Sequence, residues 1–516
     1  MNAVELIKKG AMQFSDHTGV IYKGEKATFE QVFANSKRLA NALLNLGLKK
    51  GDRVAFLLAN SLQSVEIDFA LLLAGLVRVP LNTRLSLDEH LHMVQETESK
   101  AMLFTAEFSG RVTELQKHSP SLQFYCQMNG QATEPWMLAV NEILAGESAD
   151  EPQVLVSESD LATIQYTSGT TGKLKAAVHT QETWAAICNN ILAALDIREG
   201  DIMLHAAPLT HASGTLILPH WIKGAANSVL PGFNPSEYLQ AIHQESPTTL
   251  NLVPTMIVML LSHPEVDRYS FDSVRNIIYG ASPMPREALK RGLALWGPKF
   301  TQYYGQTETP LILSILDKDE HLGDDAEAQK RLLSCGRPVA TADVKILDED
   351  GKDCPAETIG EIAVKSSQNM IGYWNEPELT EETIKDGWIH TRDMGYFDEQ
   401  GYLYLVDRKS DMIITGGFNV YPREVEEVLY QHPAVMDAAV VGVPDEKWVE
   451  AIKAFVVLLP NGTATEEEII SFCKERLASY KKPASIEFID DLPKSAVGKV
   501  VRRILKEPYW KESRSL

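Results

Sequence analysis

The glycine- and hydroxyl-rich stretch at residues 166–175 is the part of the sequence best suited to binding phosphate. It contains two glycines, four Ser or Thr hydroxyls and two lysines. Glycine adopts positive φ angles without steric cost, so backbone N–H groups can turn toward an anion, and lysine adds positive charge. Because the apolar residues 161–166 read as a strand, we predict a phosphate-binding loop at a strand's end. A Ser/Thr/Gly-rich surface turn is the alternative for this stretch alone.

The spacing of the stretch differs from that of the common nucleotide-binding loop. That loop has a longer separation between its glycines and a Ser or Thr directly after its lysine. Here two residues separate Gly169 from Gly172, while Leu174 and Ala176 follow Lys173 and Lys175. The sequence therefore predicts a phosphate loop of another class.

Further stretches carry side chains with catalytic or binding chemistry. His211 follows a small polar turn, and residues 303–308 end a predicted strand with a hydroxyl beside a carboxylate. That pairing suits Mg²⁺ shared with phosphates, because the ion needs few protein oxygens. Asp393 and residues 407–408 supply carboxylates and a guanidinium, and Lys499 lies on a loop near the C-terminus. Taken singly, each has a plainer interpretation as a packed histidine, a turn, a surface charge or a solvated lysine.

Taken together and in this order, the stretches resemble the adenylate-forming superfamily of acyl-CoA synthetases, luciferases and peptide-synthetase adenylation domains. The resemblance covers nearly the whole chain. It implies a large N-terminal domain with parallel α/β sheets and a small mobile α+β C-terminal domain. It also implies an enzyme that converts ATP and a carboxylic acid into an acyl-adenylate and pyrophosphate, then passes the acyl group to a thiol.

The resemblance also implies roles for individual residues. The implied nucleotide-binding residues are Thr167, Ser168, Gly169, Thr170, Thr171, Gly172, Lys175, Gly280, Ala281, Ser282, Tyr304, Gly305, Gln306, Thr307, Asp393, Arg408 and Lys499. Of these, the loop and Lys175 would hold the β- and γ-phosphates, and residues 280–282 would border the adenine. Asp393 and Arg408 would bind the ribose.

The implied catalytic residues are Lys499, His211 and Glu308, with Glu308 as the Mg²⁺ ligand. Lys499 would reach both the substrate carboxylate and the α-phosphate, where a cation offsets the repulsion between two approaching anions. His211 would lie between the acyl pocket and the thiol tunnel as a gate. Gly305 and Pro310 would line the acyl pocket.

The resemblance further implies that the C-terminal domain rotates between the half-reactions about a hinge at Ser410. One orientation would present Lys499, and the other would present a glycine pair whose small size suits the passage of a pantetheine chain. The implied coenzyme A contacts are Gly416, Gly417, Trp448, Tyr480 and Lys482.

The sequence departs from the family pattern at three places. Leu174 and Ala176 stand where the phosphate loop usually has proline and glycine, from which we expect a stiffness difference and retained ATP binding. Ser410 stands at the hinge, where Asp or Lys is usual, which bears on the identity and rate of the pivot. Arg392 replaces the glycine often found before Asp393 and predicts an altered local turn.

Composition agrees with an enzyme of two or more domains, because 516 residues exceed one ordinary core. The net charge of −21 argues against nucleic-acid binding, which needs a basic surface. The five cysteines include no Cys-x-x-Cys pair, so neither a zinc site nor a disulfide framework is predicted, and reduced cytoplasmic thiols are expected. No secretory signal is visible after Met1, and the longest apolar stretch, residues 69–77, is too short to span a bilayer.

The elements that position these residues are predicted to alternate. Residues 28–31 form a predicted capping box that begins a helix, and Gly47 ends it. The other predicted strands are 54–58, 77–81, 101–104, 216–218, 228–230 and 274–279, and the other predicted helices are 65–76, 184–195, 239–243 and 256–261. Such alternation is typical of a parallel α/β sheet, which binds ligands at the carboxyl ends of its strands.

A charged break at residues 405–411 separates the chain into two predicted domains, 1–408 and 409–516. The second has the size of a small domain and holds a helix at 423–430, strands at 438–441 and 454–459, and an amphipathic helix around 469–477.

We therefore expect an AMP-forming acyl-CoA synthetase in the cytoplasm that uses ATP, Mg²⁺ and coenzyme A. The resemblance also implies that the enzyme forms a homodimer. The small or apolar residues 212–214, with Gly305 and Pro310, favour an apolar acid that is medium-chain, branched, alicyclic or aromatic. A stand-alone enzyme that loads a carrier protein is the first alternative. A fatty acyl-AMP ligase and a luciferase-type oxygenase share the motifs. A nucleotide-binding regulator without catalysis is disfavoured because Glu308 and Lys499 are both present.

Overall fold

A computed structural model describes residues 1–168, 174–282, 284–408, 410–415, 417–445, 447–459, 462–495 and 499–514 of the chain. The predicted site residues outside this description are Gly169, Thr170, Thr171, Gly172 and Gly416, together with the side chain of Ser168.

The described strands follow one another along the whole chain. They are β1 (Thr18–Tyr22), β2 (Glu25–Thr28), β3 (Arg53–Leu57), β4 (Val77–Pro80), β5 (Ala101–Phe104), β6 (Phe124–Gln127), β7 (Leu138–Ala139), β8 (Leu161–Ser168), β9 (Leu174–Thr180), β10 (Ile202–His205), β11 (Ala226–Val229), β12 (Thr249–Leu252), β13 (Asn276–Gly280), β14 (Phe300–Tyr304), β15 (Ser314–Leu316), β16 (Arg337–Pro338), β17 (Ala342–Leu347), β18 (Gly360–Ser366), β19 (Gly372–Tyr373), β20 (Ile384–Lys385), β21 (Trp388–Phe397), β22 (Leu403–Arg408), β23 (Ile413–Thr415), β24 (Phe418–Val420), β25 (Val435–Asp445), β26 (Val449–Leu458) and β27 (Ser485–Phe488).

The α-helices lie between these strands, and several short 3₁₀ turns accompany them. The α-helices are α1 (Ala3–Gln13), α2 (Phe29–Asn45), α3 (Leu62–Leu73), α4 (Leu87–Glu96), α5 (Ser109–His118), α6 (Val140–Leu144), α7 (Gln181–Ala194), α8 (Ile217–Ile222), α9 (Pro235–Glu245), α10 (Pro254–Leu261), α11 (Arg286–Trp296), α12 (Ala326–Arg331), α13 (Pro377–Thr383), α14 (Pro422–Leu429), α15 (Glu466–Lys474) and α16 (Arg502–Arg514).

Two large, mostly parallel sheets form most of the N-terminal part. One has the order β16-β15-β14-β13-β12-β10-β11-β1-β2, and the other has the order β19-β9-β8-β4-β3-β5-β6-β7. Strands β10 to β14 pair in parallel, as do β3 to β6, with helices in most of the crossovers. The predicted α/β class is confirmed, and the parallel strands β13 and β14 end next to each other, at Gly280 and Tyr304.

A third, antiparallel sheet was not predicted. It has the order β17-β18-β21-β20, with β22 paired to β21. Burial alternates residue by residue along β21, the period of a strand with one buried face. This strand carries Asp393, so the sheet that the sequence analysis missed positions a predicted site residue.

A fourth sheet, β24-β23-β26-β25 with β27 on β26, forms the C-terminal unit with α14, α15 and α16. Its first strand begins at Ile413, shortly after the third sheet ends at Arg408. The smaller α+β unit predicted at the C-terminus is confirmed.

Most of the predicted elements are also confirmed, including the capping box. Thr28 accepts a hydrogen bond from the Gln31 N–H, and the Gln31 side chain accepts one from the Thr28 N–H. The strand predicted at 216–218 is wrong, because these residues end a 3₁₀ turn and begin helix α8. A short apolar run that is buried all round has no periodicity that separates strand from helix.

All five cysteines are free thiols. Within the described ranges, no helix combines the length and the apolar character needed to cross a membrane.

The carboxyl group of Glu66 provides a test of the packing between α2 and α3. It accepts a 2.8 Å hydrogen bond from the Asn35 amide, and burial raises its pKa to about 7. A raised acid pKa favours the protonated folded state, so ionisation costs stability as pH rises from the unfolded pKa through about 7. Glu66→Gln should therefore raise the thermal unfolding midpoint at pH 8, by an amount equivalent to roughly 2–3 kcal/mol, and change it little at pH 4.5.

The exposed Glu349 provides the matched control, because Glu349→Gln removes the same charge where no burial penalty exists. Equal midpoints for wild type and Glu66→Gln at pH 8 would contradict the prediction.

Candidate active site

The carboxylate of Asp393 accepts two side-chain hydrogen bonds in the cleft beyond β14. The Tyr304 hydroxyl donates to its Oδ2 at 2.8 Å, and the Gln306 amide donates to the same oxygen at 2.6 Å. Arg408 faces the other oxygen, with Nε 3.5 Å from Oδ1, and the two residues are register partners in β21 and β22. Both carboxylate oxygens of Asp393 therefore face polar partners, and the residue is buried.

A β-bulge in β21 produces this orientation. His390 pairs with Ala363 and Met394 pairs with Glu361, so residues 391–393 all face Ile362. Arg392, within the bulge, has a φ of 61°, in the left-handed region that glycine adopts most easily. Arg392 therefore adopts a backbone conformation that glycine adopts most easily, and the altered turn stays a prediction.

Glu308 is held by a tyrosine that the sequence analysis missed. The Tyr373 hydroxyl donates to Glu308 Oε1 at 2.7 Å, and Oε2 has no hydrogen-bond partner among the described residues. Lys175 Nζ lies 5.7 Å from the centroid of the Tyr373 ring. Burial lowers the pKa of Lys175, Arg392 lowers it further, and Glu308 opposes the shift.

Lys175 is fixed by the hairpin that flanks the predicted phosphate loop. It is the register partner of Thr167 across β8 and β9. Strand β19, which carries Tyr373, extends the same sheet on the other side of β9. The hairpin therefore places Lys175 beside Glu308 even though the loop between the strands lies outside the described residues.

The backbone of residues 305–308 is tightly packed where it crosses the cleft. The Thr307 carbonyl accepts a 2.9 Å hydrogen bond from His179 Nε2, and burial lowers the His179 pKa to about 4, so this imidazole is neutral. A Cβ on Gly305 would lie 2.3 Å from the Leu311 carbonyl oxygen. Only glycine fits there without a backbone shift.

The predicted adenine-binding residues follow β13. A Cβ on Gly280 would lie 2.4 Å from the Tyr303 carbonyl oxygen, and Ala281 has a φ of 69°. Ser282 is partly exposed. The chain therefore leaves β13 through a sharp turn beside residues 303–305.

Lys499 comes from the C-terminal unit yet lies in the same cleft. Burial lowers its pKa to about 8, with Arg408 adding to the shift and with Asp393 and Glu308 opposing it. Burial also lowers the His211 pKa to about 4, and the charge of Lys499 contributes. The structure thus brings Lys499 close to Arg408, Asp393, Glu308 and a neutral His211.

Lys499 is hydrogen-bonded to Ser495, and Arg502, three residues further on, pairs with acidic side chains. The Ser495 N–H donates to the Lys499 carbonyl at 2.7 Å, and the Lys499 N–H donates to Ser495 Oγ at 3.2 Å. Arg502 Nη2 donates to both carboxylate oxygens of Glu426 at 2.8 Å. Arg502 Nη1 also lies 3.7 Å from Asp407 and 3.4 Å from Asp411. No sequence signal identified this cluster, because each charge alone reads as a surface residue.

A buried polar chain supports the turn that carries His211. Ser213 Oγ lies 2.9 Å from His205 Nδ1 and accepts from the Asn251 amide at 3.1 Å, and His205 Nε2 contacts Asn227. The predicted acyl-pocket residue Pro310 is buried, and Gly305 is partly exposed. The chain of hydrogen bonds fixes the 3₁₀ turn at Ala212–Leu216 behind His211.

The predicted coenzyme A contacts lie on the C-terminal unit. Val449, next to Trp448, is the register partner of Thr415 in β23. Phe418 stacks on Tyr480 with ring centroids 4.6 Å apart, and Tyr480 and Trp448 are 40% and 49% exposed. Gly417 has a φ of 82° and no atom within 4 Å of its Cβ position. The predicted contact Lys482 is partly exposed, and the predicted hinge residue Ser410 is exposed.

Comparison with known proteins identifies relatives along nearly the whole chain. The family described as AMP-binding enzyme matches residues 7–374, and the AMP-binding enzyme C-terminal domain matches residues 424–499. A medium/long-chain-fatty-acid–CoA ligase of Mycobacterium tuberculosis is 35% identical over 517 residues, covering 97% of this chain and 89% of the relative. A fatty acid–[acyl-carrier-protein] ligase of Streptomyces coeruleorubidus is 34% identical over 505 residues, covering 96% and 94%. Among solved structures, the anthranilate CoA ligase AuaEII in complex with anthranoyl-AMP has a TM-score of 0.91 and 27% identity, covering 100% of this chain and 98% of that one.

The crowding at Gly305 generates a prediction about AMP binding. Gly305→Ala forces the backbone away from the Leu311 carbonyl and moves Gln306 off Asp393, so we expect AMP affinity to fall at least about tenfold. Calorimetric titration with AMP measures this loss.

Gly110→Ala is the matched control, because a Cβ at that exposed position in α5 meets no atom within 4 Å. It should leave AMP affinity unchanged. Wild-type affinity in Gly305→Ala would show that the close approach has no bearing on the nucleotide site.

Proposed function

The chain belongs to the AMP-binding enzyme family as an adenylate-forming acyl-CoA ligase, and we propose that its substrate is a medium-chain, alicyclic or aromatic carboxylic acid. The reaction general to such ligases uses ATP to make an acyl-adenylate and then coenzyme A to make a thioester. The proposal concerns the acid, the thiol acceptor and the residues that perform each step.

The position of Lys499 is the observation that carries the assignment of the first step. This lysine lies close enough to Arg408, Asp393 and Glu308 for their charges to act on it, and its own charge acts on His211. The carboxylate of the acid must attack the α-phosphate, and both groups are anionic. An ammonium between them offsets a repulsion that grows toward the transition state, in a cleft where charge interactions are stronger than in water.

Asp393 and Arg408 are proposed to hold the ribose. Two donors already fix one carboxylate oxygen of Asp393, so the side chain is pre-oriented before the nucleotide arrives. A pre-oriented acceptor loses little entropy when a ribose hydroxyl donates to it. The positive charge of Arg408 would then also attract the α-phosphate.

The site is also suited to the Mg²⁺ that accompanies ATP. Glu308 offers Oε2 while Tyr373 holds Oε1, and one protein carboxylate with phosphate oxygens and waters is a usual Mg²⁺ environment. Bound there, the ion would neutralise charge on the β- and γ-phosphates. Glu308 would hold it in place, and Tyr373 would orient Glu308.

His211 is proposed to act as a gate beside the acyl pocket. Because burial keeps its pKa near 4, its imidazole is neutral at pH 7, and it adds no charge to the pocket wall. The neighbouring residues 212–214 are small or apolar, and Pro310 is buried. An apolar acyl group fits such a wall better than an amino acid.

The second step is proposed to follow a rotation of residues 409–516 about Ser410. The exposed aromatic surface formed by Phe418, Trp448 and Tyr480 supports coenzyme A as the acceptor. Flat rings stack on an adenine, and exposed lysines nearby suit its phosphates. Lys447 Nζ already lies 4.8 Å from the centroid of the Trp448 ring. A carrier protein as acceptor is the second candidate, favoured by the name of the Streptomyces coeruleorubidus relative.

Lys499→Ala separates the two steps. We expect ATP–pyrophosphate exchange to fall by about 100-fold or more, because the charge between the two anions is removed. Thioester formation from a synthetic acyl-adenylate should change by less than about threefold, since no phosphate anion is attacked in that step. Equal losses in both assays would refute the role given to Lys499.

A screen for AMP release over aliphatic and aromatic acids tests the proposed substrate and acceptor. We expect turnover with coenzyme A to exceed that with a phosphopantetheinyl carrier protein.

Tyr480→Ala should raise the KM for coenzyme A about tenfold and leave pyrophosphate exchange unchanged, because it removes a stacking surface.

Phe488→Ala is the matched control, since Phe488 is another exposed aromatic residue of the C-terminal sheet. It pairs with Val456, seven residues along β26 from Val449, a separation of roughly 23 Å. Faster turnover with the carrier protein, or an unchanged KM in Tyr480→Ala, would count against coenzyme A at this surface.

A further inference from the structure

Arg392 is a cation in the cleft that none of the roles above uses. It lies within the bulge of β21, next to Asp393, with a φ of 61°. A residue with a Cβ is strained in this conformation, and such strain persists where the surrounding structure holds it, often at functional sites. The surroundings of its side chain therefore bear on function.

Among the described residues, the guanidinium of Arg392 has one long contact with an acidic side chain. Its Nη2 lies 3.5 Å from Glu382 Oε2 on α13, beyond a normal hydrogen-bond length, and its side chain is 43% exposed. The backbone is held more firmly, because the Arg392 N–H donates to Glu361 Oε1 at 3.1 Å. A fixed backbone with an available side chain is an arrangement suited to binding a ligand.

Arg392 also lies close to the groups assigned to the β- and γ-phosphates. Its partner Glu382 lies on α13, and Thr380 of the same helix accepts a 2.9 Å hydrogen bond from the Tyr373 N–H. The charge of Arg392 also lowers the pKa of Lys175. Tyr373 in turn holds Glu308. Arg408 Nε lies 3.5 Å from Asp393 Oδ1, in the part of the site where the ribose is proposed to bind.

We propose that Arg392 binds the terminal phosphates of ATP and the pyrophosphate that leaves, exchanging Glu382 for phosphate oxygens. The proposal rests on the function proposed above. In adenylation a carboxylate oxygen forms a bond to the α-phosphorus, and the bond from that phosphorus to the bridging oxygen breaks. The bond electrons stay on the pyrophosphate oxygen, so negative charge grows on the leaving group next to Arg392. A planar guanidinium can donate two parallel hydrogen bonds to such an anion.

Binding measurements on the whole enzyme test this assignment without knowledge of the acid. Wild type and Arg392→Gly are titrated by calorimetry with ATP, inorganic pyrophosphate and AMP, each with magnesium present. We expect Arg392→Gly to weaken ATP and pyrophosphate binding about tenfold, the order contributed by a charge-assisted contact, and to leave AMP affinity within about twofold. Glycine removes the backbone strain, so the unfolding midpoint should stay level or rise.

Glu382→Gln provides a second, opposite test. It releases Arg392 from its carboxylate partner and should leave ATP binding equal or up to about threefold tighter. Unchanged ATP and pyrophosphate affinities in Arg392→Gly would overturn the proposal. Equal weakening of all three ligands would overturn it too, because it would assign Arg392 to shaping the Asp393 bulge. A wild-type enzyme that binds neither ATP nor AMP would refute the proposed function itself.

Discussion

The enclosure of several cations in one cleft is the electrostatic constraint on which this site depends. Lys175, Arg408 and Lys499 converge there, while Asp393 and Glu308 offset only part of their charge. Burial lowers the pKa of both lysines, which means that the protein alone does not fully stabilise their charged forms. A polyphosphate supplies the missing negative charge, so binding energy and electrostatic relief come from the same contact.

Such a cleft needs its carboxylates to be fixed, because a mobile carboxylate would pair with the nearest cation and close the site. Asp393 is fixed by Tyr304 and Gln306, and Glu308 is fixed by Tyr373. The supporting groups come from the end of β14, the turn after it and the edge strand β19. The two carboxylates are therefore held in place by side chains that the sheets position.

Much of this arrangement was predictable from the sequence, and the remainder has a physical reason for being hidden. Local signals identified the Thr28 capping box and the strands that end at Gly280 and Tyr304, since they depend on neighbouring residues. The ordered motifs named the main residues of the cleft. Tyr373 and Arg502 were missed because they act on carboxylates 65 and 76 residues away in the chain, and no local pattern records such pairs. The third sheet was missed because a strand such as β21, with one buried face, alternates buried and partly exposed residues and lacks the continuous apolar run that marks the parallel strands.

The contacts of Arg502 bear on whether the C-terminal unit could rotate relative to the rest of the chain. Its strong contacts, the paired 2.8 Å bonds to Glu426, lie wholly within that unit and would survive a rotation about Ser410. Asp407 precedes the proposed hinge, and its distance of 3.7 Å from Arg502 is the longest of these three contacts. Arg423 adds a hydrogen bond to the Leu405 carbonyl and a backbone donor to Asp407, both accessible to replacement by water. A rotation about Ser410 would therefore leave this charge pairing intact, because the tightest contacts lie on one side of the proposed pivot.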